Sequence, residues 1–333
     1  DYVVSYIYDK EEREQLRDQL EHLTLRLVSR REAEIWHFQG HPYGRDPLDG
    51  LKTIPLLTRD DLRGFLDRYV VPANMVAAIS GDLSLKEAQA GLSRLLGVLE
   101  DGKAPERSLE DPAASPPVLA FVHKPGQVQS QVTVALPGPR RSDPDYWKTN
   151  LLVDIFGGQD SLVYRRLRDD LGLVYAAYFR QAYKWQAGWI LGFLGCQGDQ
   201  TPRAVQETAR LMKSLQEEIP SDEVEQKRLD ALNSFVFNVD TPAALTSVYA
   251  HYCMRGEPLD TLERIQEAFM EAGEEELLAL ARTYLDPGRL QVFVVGDGTL
   301  PVAREDGSRV SLEQALKDTA ADMGLPFKKL PLQ

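Results

Sequence analysis

Two rigid hydrogen-bond donors stand seven positions apart in the stretch GGQDSLVYRRLRDDLGLVY (157–175), the guanidinium of Arg168 and the phenol of Tyr175. A planar fork and a phenolic hydroxyl are suited to donate to an acceptor oxygen. Gly157 and Gly158 break the preceding helix, and Asp160 or Ser161 is placed to accept the first free helical N–H groups. Leu162, Val163, Leu167 and Leu171 fall on one helical face; Arg165, Arg166, Arg168 and Asp169 fall on the other. Gly172 stands where a left-handed residue closes a helix, and Leu173-Val174-Tyr175 opens a strand. Arg168 and Tyr175 therefore flank one tight turn. The plainer reading is that the arginines complement the helix dipole from solvent and the tyrosine belongs to the sheet surface.

Other chemistry is sparse. None of the five histidines (His22, His37, His41, His123 and His251) lies in an H-x-x-E-H motif. His37 and His41 have metal-ligand spacing for one helical face, but Gly40 and Pro42 argue against a helix there. His251 and Cys253 read as packing residues. The two cysteines make no disulfide framework and no zinc site. There is no G-x-S-x-G elbow and no phosphate-binding glycine loop.

At 333 residues and 43% hydrophobic content the chain suits two domains with real cores, and no apolar run is long enough to span a membrane. A net charge of −13, with acids and bases interspersed, disfavours a nucleic-acid surface. The chain opens at Asp1 with neither Met nor a leader-like segment, which leaves the compartment undecided between cytoplasm and periplasm for a chain read as soluble.

Along the chain, residues 10–36 are helical in character, and 40–50 is a Gly/Pro loop. Thr58 with Asp61 opens a helix through Tyr69 with Leu62, Phe65 and Leu66 inward, and 74–82 reads as a buried strand. Ser84 with Glu87 caps a helix to Leu96, and 101–117 is the linker. Strands follow at 118–123 and 131–137, then an Asp143-capped helix to Phe156. Strands 173–183 and 187–196 form a hairpin, followed by helices from Thr201 and Ser221 and a polar helical region. A last helix starts at Ser311, with a loose tail.

RDDLRGFLDRYVVPANMVAAISGD (59–82) repeats as EEELLALARTYLDPGRLQVFVVGD (274–297). Leu62 meets Leu277, Tyr69 meets Tyr284, Pro72 meets Pro287 and Gly81-Asp82 meets Gly296-Asp297, all at an offset of 215. The expected organisation is α+β: two homologous domains, each a mostly antiparallel sheet with helices. Residues 1–100 are the C-terminal part of the first, 101–117 the linker and 118–333 the complete second. The first lacks roughly a hundred residues at its N-terminus, the equivalent of 113–215.

These stretches, with the HPYGR loop (41–45), resemble the insulinase/pitrilysin family of zinc metallopeptidases over nearly the whole chain. The resemblance implies an Arg–Tyr pair at Arg168 and Tyr175 that reaches substrate carbonyls and holds the oxyanion, on a turn shaped by Gly157 and Gly158 at the substrate. It implies a zinc-bearing homologous half, or a partner subunit in a dimeric assembly, and a peptide as substrate. The family's zinc helix aligns with 150–158, placing Thr149, Leu152 and Val153 where His, Glu and His would stand. Its third ligand aligns with Gln19, or with Glu21 after a two-residue shift. The chain is thus expected to hold no metal itself, the zinc lying in the missing half or partner, and to be inactive alone. It would act as the non-zinc, substrate-binding portion or partner of a peptidase. The alternative is a structural protein of the same fold, like core subunits of respiratory complexes.

Overall fold

The computed structural model describes residues 25–106, 109–237, 239–304 and 306–332. The expected helical start at 10–24, with Gln19, Glu21 and His22, lies outside the described residues. The chain divides into two compact units. Unit 1 takes the described residues up to Leu51, then Asp111–Ile219 and Glu275 onward; unit 2 takes Lys52–Glu110 and Pro220–Glu274.

Unit 1 is built on a six-stranded sheet of order β3-β4-β2-β5-β1-β8. Its strands are β1 (Val118–His123), β2 (Gln129–Gly138), β3 (Val174–Tyr183), β4 (Gly188–Gln197), β5 (Gln291–Gly296) and β8 (Phe327–Leu330). Pairing is antiparallel from β3 to β5 and parallel from β5 through β1 to β8. β1 and β5 read as near-continuous apolar runs because both of their faces are covered. A small ribbon, β6 (Pro301–Ala303) with β7 (Arg309–Ser311), stands apart.

Helix α1 (Leu25–His37) covers one face. Val28 packs on Val122 and Val295, and Ala33 packs on Val118, Ala120 and Phe293. Buried Ser29 and Thr133 share a hydrogen bond of 2.9 Å between their hydroxyls. Helices α4 (Tyr146–Gly157), α6 (Thr201–Leu215) and α11 (Leu312–Asp322) pack against β3, β4 and β1. Strand alternation separates the two faces. Trp189 meets Phe38 at the end of α1, whereas Gly192 makes room for Phe179, whose ring meets Phe156 of α4. The stripe expected on α6, namely Val205, Ala209, Met212, Leu215 and Ile219, is buried throughout.

The HPYGRDP loop is a clamp. Asp46 caps a short 3₁₀ turn and takes both arms of the buried Arg31 guanidinium at 2.8 Å. The Tyr43 hydroxyl donates to Gln186 Oε1 at 2.5 Å in the β3–β4 turn, and Lys184 of the same turn pairs with Glu34. Two local expectations need correction. The tail is ordered as edge strand β8, because β1 presents an unpaired side that Leu119–Val122 fill with Phe327–Leu330. The helix before the site starts at Tyr146 with Asp145 at its cap position, two residues beyond the expected cap Asp143, whose carboxylate instead accepts the Arg140 N–H at 2.8 Å.

Unit 2 holds α2 (Arg59–Tyr69), α3 (Leu85–Leu96), α7 (Ser221–Phe237), α8 (Pro242–Arg255) and α9 (Thr261–Glu271). Both expected capping boxes form, Thr58 with Asp61 and Ser84 with Glu87. The 215-residue offset is kept by the backbone, since α2 maps onto α10 (Glu274–Tyr284) and the proline turn Pro72–Asn74 onto Pro287–Arg289. The third part of the repeat is not kept. Residues 75–80 form no strand and are exposed, where a buried strand was expected. Leu62, Phe65 and Leu66, expected inward, are 51%, 58% and 54% exposed, against 0%, 6% and 0% for their equivalents Leu277, Leu280 and Ala281.

The reason lies in partners. β5 exists because β2 flanks it on one side and β1 on the other. No described strand stands beside 75–80, and a strand without a ladder leaves its N–H and C=O groups to water. Matched truncations in the repeat should therefore differ. Leu277→Ala should cost about 2–4 kcal/mol, read by urea unfolding through tryptophan fluorescence, since all four tryptophans belong to unit 1. Leu62→Ala should change the helical melt by less than about 0.5 kcal/mol; an equal cost at both positions would show that the Leu62 face is buried in solution.

Candidate functional site

The turn between α4 and β3 is built by close approach. Gly157, at the end of α4, is buried, and a Cβ there would overlap the backbone and Cβ of Phe179. Gly158 caps α4 by donating its N–H to Asp154 O at 2.9 Å. Asp160 takes positive φ (51°), and Ser161, the cap among the two candidates, accepts from Tyr164 N. The short α5 (Leu162–Tyr164) runs straight into a π-helical turn, Arg165–Asp170. Val163 and Leu167 anchor it in the core. Gly172 at φ 63° then reverses the chain, with Gly172 N donating to Arg168 O at 3.0 Å and Leu173 N to Leu167 O at 2.8 Å.

This reversal brings Arg168 and Tyr175 together. The β3–β4 register slips between Val174, opposite Cys196, and Ala176, opposite Gly195, so Tyr175 is the bulged residue. Arg168 Nη1 donates to the Tyr175 carbonyl at 3.0 Å and to Tyr164 Oη at 2.5 Å, with the guanidinium 5.2 Å over the Tyr164 ring. The contact is to the main chain of Tyr175, not to its phenol. The Tyr175 ring instead lies over Gly195, where a Cβ would overlap it, and Gln131 Nε2 donates to its hydroxyl oxygen. Both side chains are exposed, Tyr175 to 44%. Among the described residues the Nε and Nη2 groups of Arg168 have no protein acceptor, so that edge of the fork is open to a ligand oxygen.

Gly157 and Gly158 shape the turn, and Gly157 does so from the interior. Sequence reading did not reach Tyr164, Gln131 or Gly195. Gln131 lies 44 positions from Tyr175 and carries no local signal for the contact. Tyr164 is four residues before Arg168, the spacing of a helical neighbour, and that signal was available.

The positions aligned with a zinc helix are interior. Thr149, Leu152 and Val153 are buried in α4. His37 Nδ1 meets Gln291 Oε1 at 2.8 Å, and its ring packs on Phe38 and Trp189. It lines a cavity of about 210 Å³ with Phe38, Ser115 and Tyr284. His41 caps a 3₁₀ turn by accepting from Tyr43 N at 3.2 Å. His123 accepts from Gly298 N at 3.0 Å. Among the described residues no group of three or more His, Cys, Asp or Glu stands together as a metal site. Burial pushes the Cys196 thiol up to about 12, far from a reactive thiolate. No helix of the described residues is long and apolar enough to cross a membrane.

A family model described as the peptidase M16 inactive domain matches residues 56–229. An uncharacterized zinc protease of Rickettsia bellii is 25% identical over 193 residues, 57% of this chain and 46% of that protein. The chain thus spans about half the length of that relative. A peptidase M16 inactive domain from Pseudomonas fluorescens superposes with a TM-score of 0.78 at 21% identity, covering 87% of this chain and 72% of that one. A chain of complex III2 from Candida albicans superposes with a TM-score of 0.69 at 12% identity, covering 88% and 70%. The mixed sheet-and-helix fold expected from the sequence is the fold of these domains.

Two outcomes are expected. After chelator washing and reloading, the chain should retain no stoichiometric zinc; one tightly held ion lost on His37→Gln and His41→Gln substitution would reverse that assignment. Burial lowers the His37 pKa below its ordinary 6.5, so the folded chain keeps His37 neutral and the unfolded chain binds the extra proton. Stability from His37 is therefore complete above about pH 6.5 and is lost as pH falls through that value toward the depressed one. Urea midpoints of unit 1 should drop over that window, and His37→Gln should flatten the slope.

Proposed function

This chain belongs to the peptidase M16 family through its inactive domain, and on that premise we propose that it is the non-zinc, substrate-binding part of a zinc peptidase. Its substrate is a peptide, and the zinc is carried by a homologous half or a partner subunit. The observation that supports this reading is the pairing of two exposed donors on a turn anchored in the core by Val163 and Leu167. Arg168 offers Nε and Nη2, and Tyr175 offers a phenol held on Gly195. Fixed donors at a carbonyl gain strength in the transition state, where oxygen charge develops, without reorganising. The sheet and the π turn position the donors; the peptide supplies the acceptor.

A second reading, a structural protein without chemistry, has a specific observation in its favour. Arg168 already satisfies the bulge carbonyl of Tyr175, and a scaffold needs that bond as much as an enzyme does. The likeness to a complex III2 chain is a likeness of fold.

The two readings separate on turnover. With the zinc-bearing half present, Arg168→Ala or Tyr175→Phe should lower peptide turnover by about ten- to a thousandfold, the range for loss of an oxyanion or positioning donor. Melting temperature should fall only modestly, since each variant removes one hydrogen bond to the fold from an exposed side chain. Unchanged turnover with lost assembly or lost stability would favour the scaffold.

A further inference from the structure

We propose that Gln131 is a positioning residue for Tyr175, directing the phenolic hydrogen away from the sheet and toward a ligand, with Gly195 as the seat that holds the ring in place. Three strands build the arrangement. Tyr175 is the bulged residue of edge strand β3, Gly195 is the neighbouring position on β4, and Gln131 is directly across from Gly195 on β2. The ring spans β4 because Gly195 has no side chain to stop it. Its oxygen then arrives at the amide of Gln131, whose Nε2 donates to it.

The direction of that bond matters. A phenol oxygen has one hydrogen to give and lone pairs to receive. Where the amide N–H donates, the phenol is the acceptor, and its own hydrogen remains for another oxygen. A carboxylate at position 131 would do the reverse and take that hydrogen. The Gln131 side chain is held at this place, since it is only 7% exposed and sits in a strand paired on both sides, to Gly195 and to Val295. The accepted N–H also polarises the phenol, strengthening the hydrogen as a donor.

The role of Gln131 in turnover rests on the reading of Tyr175 as a substrate donor, but the hydrogen-bond direction is testable in this chain alone. The chain is labelled with tyrosine carrying carbon-13 at Cζ, and the Tyr175 resonance is assigned by its loss in Tyr175→Phe. A phenol that donates to a carboxylate moves this resonance downfield. Gln131→Glu should therefore shift it downfield of Gln131→Leu, whereas the native chain should not lie downfield of Gln131→Leu. A native resonance downfield of Gln131→Leu would mean that the phenol gives its hydrogen to Gln131, and the proposal would be wrong. Identical resonances in all three chains would mean that no bond forms, which overturns the proposal equally. If a variant at 131 fails to fold, Gly195→Ala displaces the ring from the other side and should move the Tyr175 resonance away from its native position; no movement would count against the seat.

The functional arm uses the chain with its zinc-bearing half. Gln131→Glu should lower turnover about tenfold or more, to the level of Tyr175→Phe, and the two together should do no worse than either. Additive losses would show that Gln131 acts by another route and would overturn the proposal. If Tyr175→Phe itself leaves turnover unchanged, the functional reading of the site fails, while the resonance measurement still decides what Gln131 does to the phenol.

Discussion

The ladder on both sides of β5 is the constraint on which the rest of the structure depends. Gln291–Gly296 pairs with β2 through five residues and with β1 through six, and every residue of it is buried. Those pairings fix the sheet onto which α1 packs, and the sheet in turn fixes the two ends of the site. β2 carries Gln131, and β4, its next neighbour, carries Gly195. The same sequence pattern at 75–80 has no such neighbours, and there the backbone takes no strand at all. Side-chain pattern permits a strand; partners make one.

The site turns on a second constraint, the space a glycine leaves. Gly157 lets α4 close on Phe179, Gly192 lets Phe179 reach that helix, and Gly195 lets Tyr175 lie across the sheet. Each contact is between an aromatic residue and backbone, and together they lock the turn from both sides of β3. The bulge at Tyr175 comes three residues after the reversal at Gly172. Arg168 then supplies the hydrogen bond that the bulge takes from the ladder. Within the π turn Arg168 serves this closure twice, its carbonyl accepting from Gly172 N and its side chain donating to the Tyr175 carbonyl.

What was legible in the sequence was local. Thr58 with Asp61 and Ser84 with Glu87 announce helix starts because cap and partner lie three residues apart. Gly172 announces the reversal because only a left-handed residue closes that turn cheaply. The pair itself was legible through its spacing and its resemblance to a peptidase family. What was not legible was set by distant residues or their lack. The β8 strand was hidden because FKKL is short and half lysine, and its pairing depends on an open side of β1 some two hundred residues earlier. The inward faces of α2 and 75–80 were misread because the repeat describes a core, and the layer that covers that core is absent from the described residues. The π turn has no sequence signal at all, since its sequence reads equally well as an α-helix.

In the role proposed for them, Arg168 and Tyr175 divide their groups between fold and ligand, and this bears on how any site of this kind is judged. Nη1 of Arg168 bonds the Tyr175 carbonyl and the Tyr164 hydroxyl, while Nε and Nη2 have no acceptor among the described residues. The oxygen of Tyr175 receives a bond from the sheet, which under the proposal leaves its hydrogen to give. Full structural use would leave neither residue with an open donor, and purely functional residues would have no need of bonds to the fold. Donors anchored on one side and open on the other are what preorganisation requires, because the anchoring fixes the direction in which the remaining group points. A lysine at position 168 could keep the charge but would lose the planar fork that makes this division possible. The anchoring contacts at this turn, Arg168 to the Tyr175 carbonyl and Gln131 to the Tyr175 hydroxyl, are therefore what the proposed chemistry would need from the fold.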